Sequence, residues 1–178
     1  SSGYAYCCDA LHQRAIEEIC RLKQIDPKKK ALSIACASLS QVSEYCKMND
    51  RAFKFIKDHE VNYTFILPAS GALPKIFKQR KEVGVRLAQH PIGRLLAEHL
   101  GNPLITSSLP LENEEEPEYC TNPELIDERF GRGVRTILDA GDIPLAPSTI
   151  VDCTEEPFEV LRYGHGRLED EEPLLKKD

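Results

Sequence analysis

Short apolar runs alternate with stretches of helical periodicity along most of the chain. Residues 4–8 form an apolar run typical of a β-strand, and residues 11–23 carry apolar side chains at the spacing of an amphipathic helix. Asp9 lies at the position expected for the N-cap of that helix. The strand pattern recurs and predicts further strands at residues 32–36, 63–67, 82–87, 104–106, 136–139, 149–152 and 158–162.

Polar caps and prolines mark the starts of the remaining predicted helices. Asn49 or Asp50 is expected to begin a helix that turns Phe53 and Ile56 inward. Residues 111–119 are rich in glutamate and predict a flexible surface loop. The other predicted helices are a short one that Ser38 or Ser40 caps, ending near residue 46, a short one within 71–81, one over 91–100 and one from 123 to about 130.

The alternation of strands and helices predicts an α/β fold with a mixed sheet. A chain of 178 residues with 41% apolar residues suits one globular core, and no long linker divides it. We therefore expect one domain over residues 1–167 and a charged tail over residues 168–178. Because the chain begins without methionine, we also expect part of the domain to precede Ser1.

Charge and hydropathy argue against some classes of function. The formal net charge is −6, which disfavours a dedicated nucleic-acid-binding protein, although a local basic patch can exist on an acidic chain. No apolar stretch approaches the ~18 residues that a membrane span needs, and no secretory leader opens the chain. These features predict a cytoplasmic protein with no membrane partner.

The sequence motifs of common catalytic sites are missing. The chain has no P-loop, no dinucleotide-binding motif, and neither the zinc-protease nor the nucleophile-elbow motif. Its seven cysteines form no C-x-x-C pair, so neither a disulfide framework nor a zinc site is expected. The residues by themselves therefore assign no catalytic group and no metal ligand.

Two segments carry cations that suit anion binding. Lys23 precedes a loop with three consecutive lysines, Lys28, Lys29 and Lys30. This loop suits either a phosphate-binding site or a solvated helix end with favourable cations. Arg86 leaves a predicted buried strand and suits either a fork for carboxylate or phosphate, or a structural ion pair.

Two further segments combine hydroxyl groups with strand ends. Residues 106–108 (Thr-Ser-Ser) follow a predicted strand, a common phosphate-binding position and an equally common polar turn. Residues 147–152 and 162–166 present polar groups at the boundaries of two predicted strands, and the two glycines of the second segment permit a tight turn. Each segment is a weak indication when taken alone.

Taken together and in order, these segments resemble the YrdC/YciO family of threonylcarbamoyl-AMP synthase-like proteins. The resemblance runs from Tyr4 to about Gly166, which is nearly the whole chain. It rests on C-D-A at 8–10, I-C-R-L-K at 19–23, residues 39–45, Y-T-F at 63–65, V-G-V-R at 83–86 with H-P at 90–91, residues 148–152 and residues 161–166.

The resemblance implies the family's twisted, open α/β sheet around a concave, positively lined cavity. It also implies the family chemistry, in which threonine and bicarbonate form a carbamate that attacks the α-phosphate of ATP. The products are threonylcarbamoyl-AMP and pyrophosphate, and the first of these serves the modification of an adenosine in tRNA. ATP with Mg²⁺ would accompany this activity.

The resemblance also implies roles for individual residues. Lys23, Ser107 and Arg162 would contact the nucleotide, whereas Arg86 and Ser148 would hold the threonine or its carbamate. The physical basis is charge positioning, since cations stabilise the phosphates and the departing pyrophosphate.

Several positions depart from the pattern of the active synthases. Those enzymes have Lys-x-Arg after the first helix and Ser-x-Asn at the end of the central strand, where this chain has Ile25 and Leu109. Val61 and Asn62 replace a Gly-Pro pair, and the Pro-Thr-Asp motif expected upstream of Tyr4 is not in the chain. These departures indicate the YciO-like branch, whose role is less defined.

Two functions follow as alternatives. The first is a nucleotide-binding, threonylcarbamoyl-AMP synthase-like enzyme that uses ATP, threonine and bicarbonate. The second is a non-catalytic module related to translation that binds tRNA or double-stranded RNA, which the net charge of −6 disfavours. The residues that favour the second are Lys28, Lys29, Lys30, Lys78, Arg80 and Lys81.

Overall fold

A computed structural model describes residues 3–30, 32–78, 80–111 and 115–168. Seven strands form one sheet: β1 (Ala5–Asp9), β2 (Ser33–Cys36), β3 (Tyr63–Pro68), β4 (Glu82–Leu87), β5 (Leu104–Ser108), β6 (Thr149–Asp152) and β7 (Glu159–Arg162). The α-helices are α1 (Gln13–Leu22), α2 (Leu39–Tyr45), α3 (Asp50–Asp58), α4 (Lys75–Lys78), α5 (Pro91–Leu100) and α6 (Pro123–Phe130), with 3₁₀ turns at Pro117–Cys120 and Gly131–Gly133. The predicted single-domain α/β fold is confirmed.

The strands follow the order β1-β5-β2-β4-β3-β6-β7 across the sheet. The pairs β2–β4 and β3–β6 are parallel, and the other four pairs are antiparallel. The sheet is therefore mixed, as the sequence predicts. Its two end strands, β1 and β7, each have one partner in the sheet.

One face of the sheet carries the hydrophobic core. Ile34 of β2 pairs with Val85 and with Ile105, and Val85 in turn pairs with Phe65. All four side chains are fully buried, and helices α1 to α4 contribute apolar residues to the same cluster. Because neighbouring residues across a sheet share a face, this single row defines the core side.

The opposite face carries small and polar side chains near its centre. Ser33 pairs with Gly84 and with Thr106, one position before the core row, so these residues lie on the other side of the sheet. Helix α5 lies over one end of this face, where its Gly93 lines a cavity together with Arg86. Because these side chains are small, this face of the sheet leaves space for a cavity, whereas packed apolar side chains fill the core face.

The first helix begins later than its sequence predicts. Its N-cap is His12, whose Nδ1 accepts a hydrogen bond from the Ala15 N–H at 3.1 Å. The prediction of Asp9 as the cap is wrong because Asp9 still belongs to β1, where it pairs with Leu104. Its carboxylate accepts from the Leu11 N–H at 2.8 Å and shapes the turn between strand and helix.

Two further predictions need correction. Phe53 is 39% exposed, whereas Ile56 is buried as predicted, because the inward stripe of α3 follows Ala52 and Phe55. Residues 136–139 are not a strand, although their sequence has strand character. Strand residues need a hydrogen-bonded neighbour, and this segment pairs with none of the seven described strands.

Some of the sequence predictions fall outside the described residues. Apart from Leu168, the predicted charged tail lies beyond them, and so do residues 112–114 of the glutamate-rich loop. In the part of the chain that the structure covers, each helix is too short or too polar to cross a bilayer.

Candidate functional site

A cavity of about 140 Å³ opens on the polar face of the sheet beside the start of α5. Arg86 of β4, Thr106 of β5 and Ser148, which precedes β6, line it together with His90 and Tyr63. Strand pairing therefore brings together groups that lie far apart in the sequence. A cation and two hydroxyl groups in one concavity can bind a small anion.

Arg86 supplies the positive charge of this cavity. Register with Ala35 of β2 directs its side chain away from the core face. Burial, and then the positive charge of Arg162, lowers the pKa of Arg86. An arginine nevertheless stays protonated at neutral pH, so the cavity keeps a positive charge. A carboxylate or phosphate bound at Arg86 would balance that charge.

Ser148 connects the cavity to the two last strands. Its hydroxyl is buried and lies 2.8 Å from the Thr64 hydroxyl, and either oxygen can donate. Its carbonyl oxygen accepts hydrogen bonds from Nη2 of Arg162 at 2.8 Å and from Nε at 3.3 Å. Ser148 thereby fixes the position of the second guanidinium beside the first. Thr64 is part of the Y-T-F motif of the family resemblance, but the sequence analysis assigns it no role in the site.

The turn after β7 is held against Ser148 by Thr149. The Thr149 hydroxyl accepts from the Gly164 N–H at 2.9 Å and donates to the Gly166 carbonyl at 2.6 Å. A Cβ on Gly164 would come within 2.5 Å of the Ser148 carbonyl carbon, and one on Gly166 within 2.7 Å of the Tyr63 ring. Neither glycine has a positive φ, so close approach is the reason for glycine here.

Thr106, and not Ser107, faces the cavity. Ser107 pairs with Tyr6 and shares the core face with Ile105 two positions earlier, whereas Thr106 lines the cavity. Among the described residues the Thr106 hydroxyl oxygen is buried and has no hydrogen-bond partner, so it is available to a ligand. Strand alternation starting from the apolar Ile105 is the sequence signal that distinguishes the two positions.

Lys23 lies at the end of α1, apart from the residues that line the cavity. Its ammonium group donates to the carbonyl oxygen of Ser108 at the end of β5, so it ties a helix end to a strand end. Burial, and then the charge of Lys30, lowers the pKa of Lys23. The structure therefore does not bring Lys23 and Ser107 together with Arg86, Ser148 and Arg162.

Ile25 and Leu109, two of the positions that depart from the synthase pattern, have structural roles. Helix α1 ends in a Schellman motif, in which Gln24 has φ 52° and donates to the Arg21 carbonyl at 3.1 Å. The Ile25 N–H completes the motif by donating to the Cys20 carbonyl at 2.8 Å. Leu109 packs against the core and lines an apolar cavity beside β1.

The basic segments of the chain meet on the surface. Arg80 donates to the carbonyl oxygen of Lys29 and lies 3.9 Å from the Glu82 carboxylate. The neighbouring exposed lysines are Lys28, Lys30, Lys78 and Lys81, and the six cations together are called the lysine patch. Two stretches some fifty positions apart therefore form one positively charged surface.

The described residues contain no group of three or more histidine, cysteine, aspartate or glutamate side chains that could hold a metal ion. Mg²⁺ that accompanies a nucleotide is usually bound by phosphate oxygens and one or two carboxylates.

Comparisons with known proteins agree on one family. A sequence model of the Sua5/YciO/YrdC family, described as telomere recombination, matches residues 1–164. The uncharacterized protein YciO of Escherichia coli K12 is 34% identical over 177 residues, which is 98% of this chain and 83% of YciO. Its crystal structure superposes with a TM-score of 0.83 at the same coverage.

Relatives with named activities or ligands are more distant. The threonylcarbamoyl-AMP synthase of Vibrio vulnificus is 29% identical over 164 residues, which is 88% of this chain and 84% of the synthase. The crystal structure of P. abyssi Sua5 complexed with L-threonine is 26% identical with a TM-score of 0.77. That match covers 92% of this chain and 48% of Sua5.

Proposed function

Because the chain belongs to the Sua5/YciO/YrdC family, we propose that its cavity binds a small carboxylate and a nucleotide for threonylcarbamoyl-AMP synthase-like chemistry. The observation that carries this proposal is the cavity that brings Arg86 together with Thr106 and Ser148, whose carbonyl oxygen holds the Arg162 guanidinium. A solved relative, P. abyssi Sua5, is complexed with L-threonine, the amino acid that such chemistry uses.

The size of the cavity indicates which ligand lies inside it and which extends out of it. A volume of about 140 Å³ matches the ~150 Å³ that holds one benzene-sized molecule. Threonine or its carbamate is of this order, with its carboxylate at Arg86 and its polar atoms toward Ser148 and Thr106. The nucleotide then extends from the cavity, with its phosphates within reach of Arg162.

The proposed reaction has two steps. The threonine amine and bicarbonate form a carbamate with loss of water. A carbamate oxygen then bonds to the α-phosphorus of ATP, and the bond from that phosphorus to the β-phosphate bridge breaks, so pyrophosphate leaves. Arg162 stabilises the charge that develops on the phosphates, and Mg²⁺ bound to the triphosphate would neutralise part of it. Ile25 and Leu109 count against full synthase activity because neither can contact phosphate.

The test is pyrophosphate release from ATP, measured with and without threonine and bicarbonate. Release that requires both supports the synthase-like reaction. Binding of threonine or ATP without release supports a ligand-binding protein that lacks catalysis. If the folded chain neither binds threonine or ATP nor releases pyrophosphate, the proposal is overturned.

A second candidate function is binding of tRNA or double-stranded RNA on the lysine patch. The contact of Arg80 with the Lys29 carbonyl favours it, because this contact holds two basic segments on one surface. Fluorescence anisotropy with tRNA and with a double-stranded RNA, repeated at several salt concentrations, tests the proposal. A steep loss of affinity with salt supports phosphate contacts, and absence of binding at low salt contradicts them.

For either role, we propose that the protein acts in the cytoplasm. All seven cysteines are free, which fits a reducing compartment.

A further inference from the structure

Two buried hydroxyl groups lie side by side at the edge of the cavity that holds Arg86. Thr64 and Ser148 are 2% and 3% exposed, and their hydroxyl oxygens are 2.8 Å apart. Ser148 lines the cavity, whereas Thr64 does not. Thr64 can therefore act on a ligand of this cavity only through Ser148.

Packing fixes the direction of the Thr64 hydroxyl. Thr64 belongs to β3 and pairs with Ile150 of β6, two positions after Ser148. Its methyl group lies toward Gly84, because a Cβ on that glycine would be only 3.4 Å from the Thr64 Cγ2. A β-branched side chain has few allowed rotamers, so the hydroxyl group is held on the side of Ser148.

The two hydroxyl groups have two protons, and only one of these can lie in the hydrogen bond that joins them. Among the described residues, neither hydroxyl has another hydrogen-bond partner. If Ser148 donated, the second proton would belong to Thr64, where it is buried away from the cavity and its missing bond would cost stability. If Thr64 donates, the second proton belongs to Ser148 and lies at the cavity, where a bound molecule can accept it.

We propose that Thr64 is a positioning residue that makes the Ser148 hydroxyl a donor to an oxyanion in the cavity. Thr64 donates to Ser148, and Ser148 donates to a carboxylate or phosphate that also contacts Arg86. Hydrogen bonds in a chain polarise one another, so the first bond strengthens the second. This role rests on the proposed function, because it concerns the ligand of the same cavity.

The test measures the binding of L-threonine and of ATP separately, by calorimetric titration of the full chain. Thr64→Val replaces the hydroxyl by a methyl group and should weaken binding of at least one ligand about three- to ten-fold. A loss for L-threonine identifies a carboxylate as the oxyanion, and a loss for ATP identifies a phosphate. Thr64→Ser keeps the hydroxyl and should keep the parent affinity, and Thr64→Ala is the second variant should Thr64→Val not fold.

Thr154→Val is the matched control for loss of a threonine hydroxyl. The Thr154 hydroxyl donates to the Asp152 carboxylate at 2.6 Å, and Thr154 does not line the cavity. This substitution should leave both affinities unchanged.

A double substitution distinguishes a positioning role from a purely structural one. Ser148→Ala removes the hydroxyl but keeps the carbonyl oxygen that holds Arg162. In this background Thr64→Val should not change affinity further, because the group that Thr64 positions is gone. Ser148→Ala alone leaves the Thr64 hydroxyl buried without a partner, so Tm should fall by about 2–4 °C, and adding Thr64→Val should recover most of this loss.

Unchanged affinity for both ligands in Thr64→Val would overturn the role of Thr64. An equal loss in the parent and Ser148→Ala backgrounds, or a loss in Thr64→Ser as large as in Thr64→Val, would overturn it too. Arg86→Ala identifies which proposal fails. If Arg86→Ala loses affinity that Thr64→Val keeps, the proposed function stands and only the role of Thr64 is wrong. If the parent chain binds neither L-threonine nor ATP, both are overturned.

Discussion

The guanidinium of Arg162 donates two hydrogen bonds to the carbonyl oxygen of Ser148, at 2.8 Å from Nη2 and 3.3 Å from Nε. This contact crosses from β7 to the residue before β6 and holds a positive charge beside Arg86. A main-chain acceptor fixes the guanidinium without neutralising it, so the charge remains available to an anion. The arrangement places a second cation next to Ser148, which lines the cavity together with Arg86.

Substitutions of Arg162 distinguish the effect of its positive charge from the effect of its hydrogen bonds to Ser148. Arg162→Ala should weaken binding of ATP and lower the free energy of unfolding by about 1 kcal/mol, because the hydrogen bonds to Ser148 are lost. Arg162→Lys keeps the charge beside Arg86 but loses the fork, and should fall between the parent and the alanine variant. Calorimetric titration and urea denaturation measure the two effects. Equal affinities for all three proteins would remove Arg162 from the site.

Arg86→Ala should abolish most of the affinity for threonine with little change in stability. One charge-assisted contact contributes about 1.5–3 kcal/mol, which corresponds to a loss of roughly ten- to hundred-fold. Arg51→Ala is the matched control, since Arg51 is an exposed arginine that pairs with Glu156 on the surface. A large drop in Tm with unchanged binding would make Arg86 a structural residue instead.

The triple change Lys28→Gln, Lys29→Gln and Lys30→Gln tests the lysine patch. If each lysine contacts one RNA phosphate, the slope of log affinity against log salt should decrease by up to about 2–3. Anisotropy titrations at four salt concentrations give the slope. Lys54→Gln with Lys57→Gln on α3 removes exposed charge elsewhere and should leave it nearly unchanged. A similar decrease for both sets would indicate a general effect of net charge.

Gln24→Gly should stabilise the chain by about 1 kcal/mol. Gln24 has φ 52° at the end of α1, a conformation that glycine adopts without the steric cost of a Cβ. Thermal and urea unfolding measure the gain. Gln13→Gly, at the first position of the same helix, is the control. It should destabilise the chain, because glycine is unfavourable within a helix. A loss of stability in Gln24→Gly would mean that the side chain of Gln24 contributes more than its backbone costs.

Stability should fall as the pH rises above about 9 in the presence of a reducing agent. Burial raises the pKa of Cys46 and of Cys153 to about 12 from the ordinary value of 9.0, and raises the pKa of Cys36 as well. Above pH 9 the unfolded chain loses thiol protons that the folded chain keeps. Each such thiol lowers the free energy of unfolding by up to about 1.4 kcal/mol per pH unit between its two pKa values.

The ionisation of Lys23 changes stability in the opposite direction over part of this pH range. Because its pKa is lowered in the folded chain, the unfolded chain binds more protons between that lowered value and 10.5, so stability rises with pH there. Three buried thiols outweigh this one amine. Urea denaturation at pH 7.5, 9 and 10 measures the net slope, and Cys153→Ala should make it shallower. A flat profile would contradict the burial of these thiols as the dominant effect.

The strand and helix bounds follow closely from the sequence where hydrophobic period and caps agree. Strand β4 and helix α5 have the bounds that their sequences predict, because Pro91 begins the helix and Gly101 ends it. The cap of α1 is different, since the hydrogen bonds of Asp9 to a neighbouring strand outweigh its preference for a helix start. A contact nearly a hundred positions away decides that boundary.

The sequence alone also placed Arg86 and Ser148 among the candidate ligands, because resemblance to a family carries such positions. It did not separate Thr106 from Ser107, although strand alternation from Ile105 contained that information. Lys23 is a different case. Its role as a phosphate ligand stays a prediction, and in the folded chain its ammonium group donates to the Ser108 carbonyl.

What the sequence determined by itself is the set of local elements and the family, because hydrophobic period, caps and ordered motifs are properties of neighbouring residues. Only the tertiary structure decided which of the charged groups meet. Strand pairing and loop contacts that no local pattern encodes bring Arg162 to the Ser148 carbonyl and Arg80 to the Lys29 carbonyl. Strand character at residues 136–139 remained without a strand for the same reason, since a sheet hydrogen bond requires a neighbour in space.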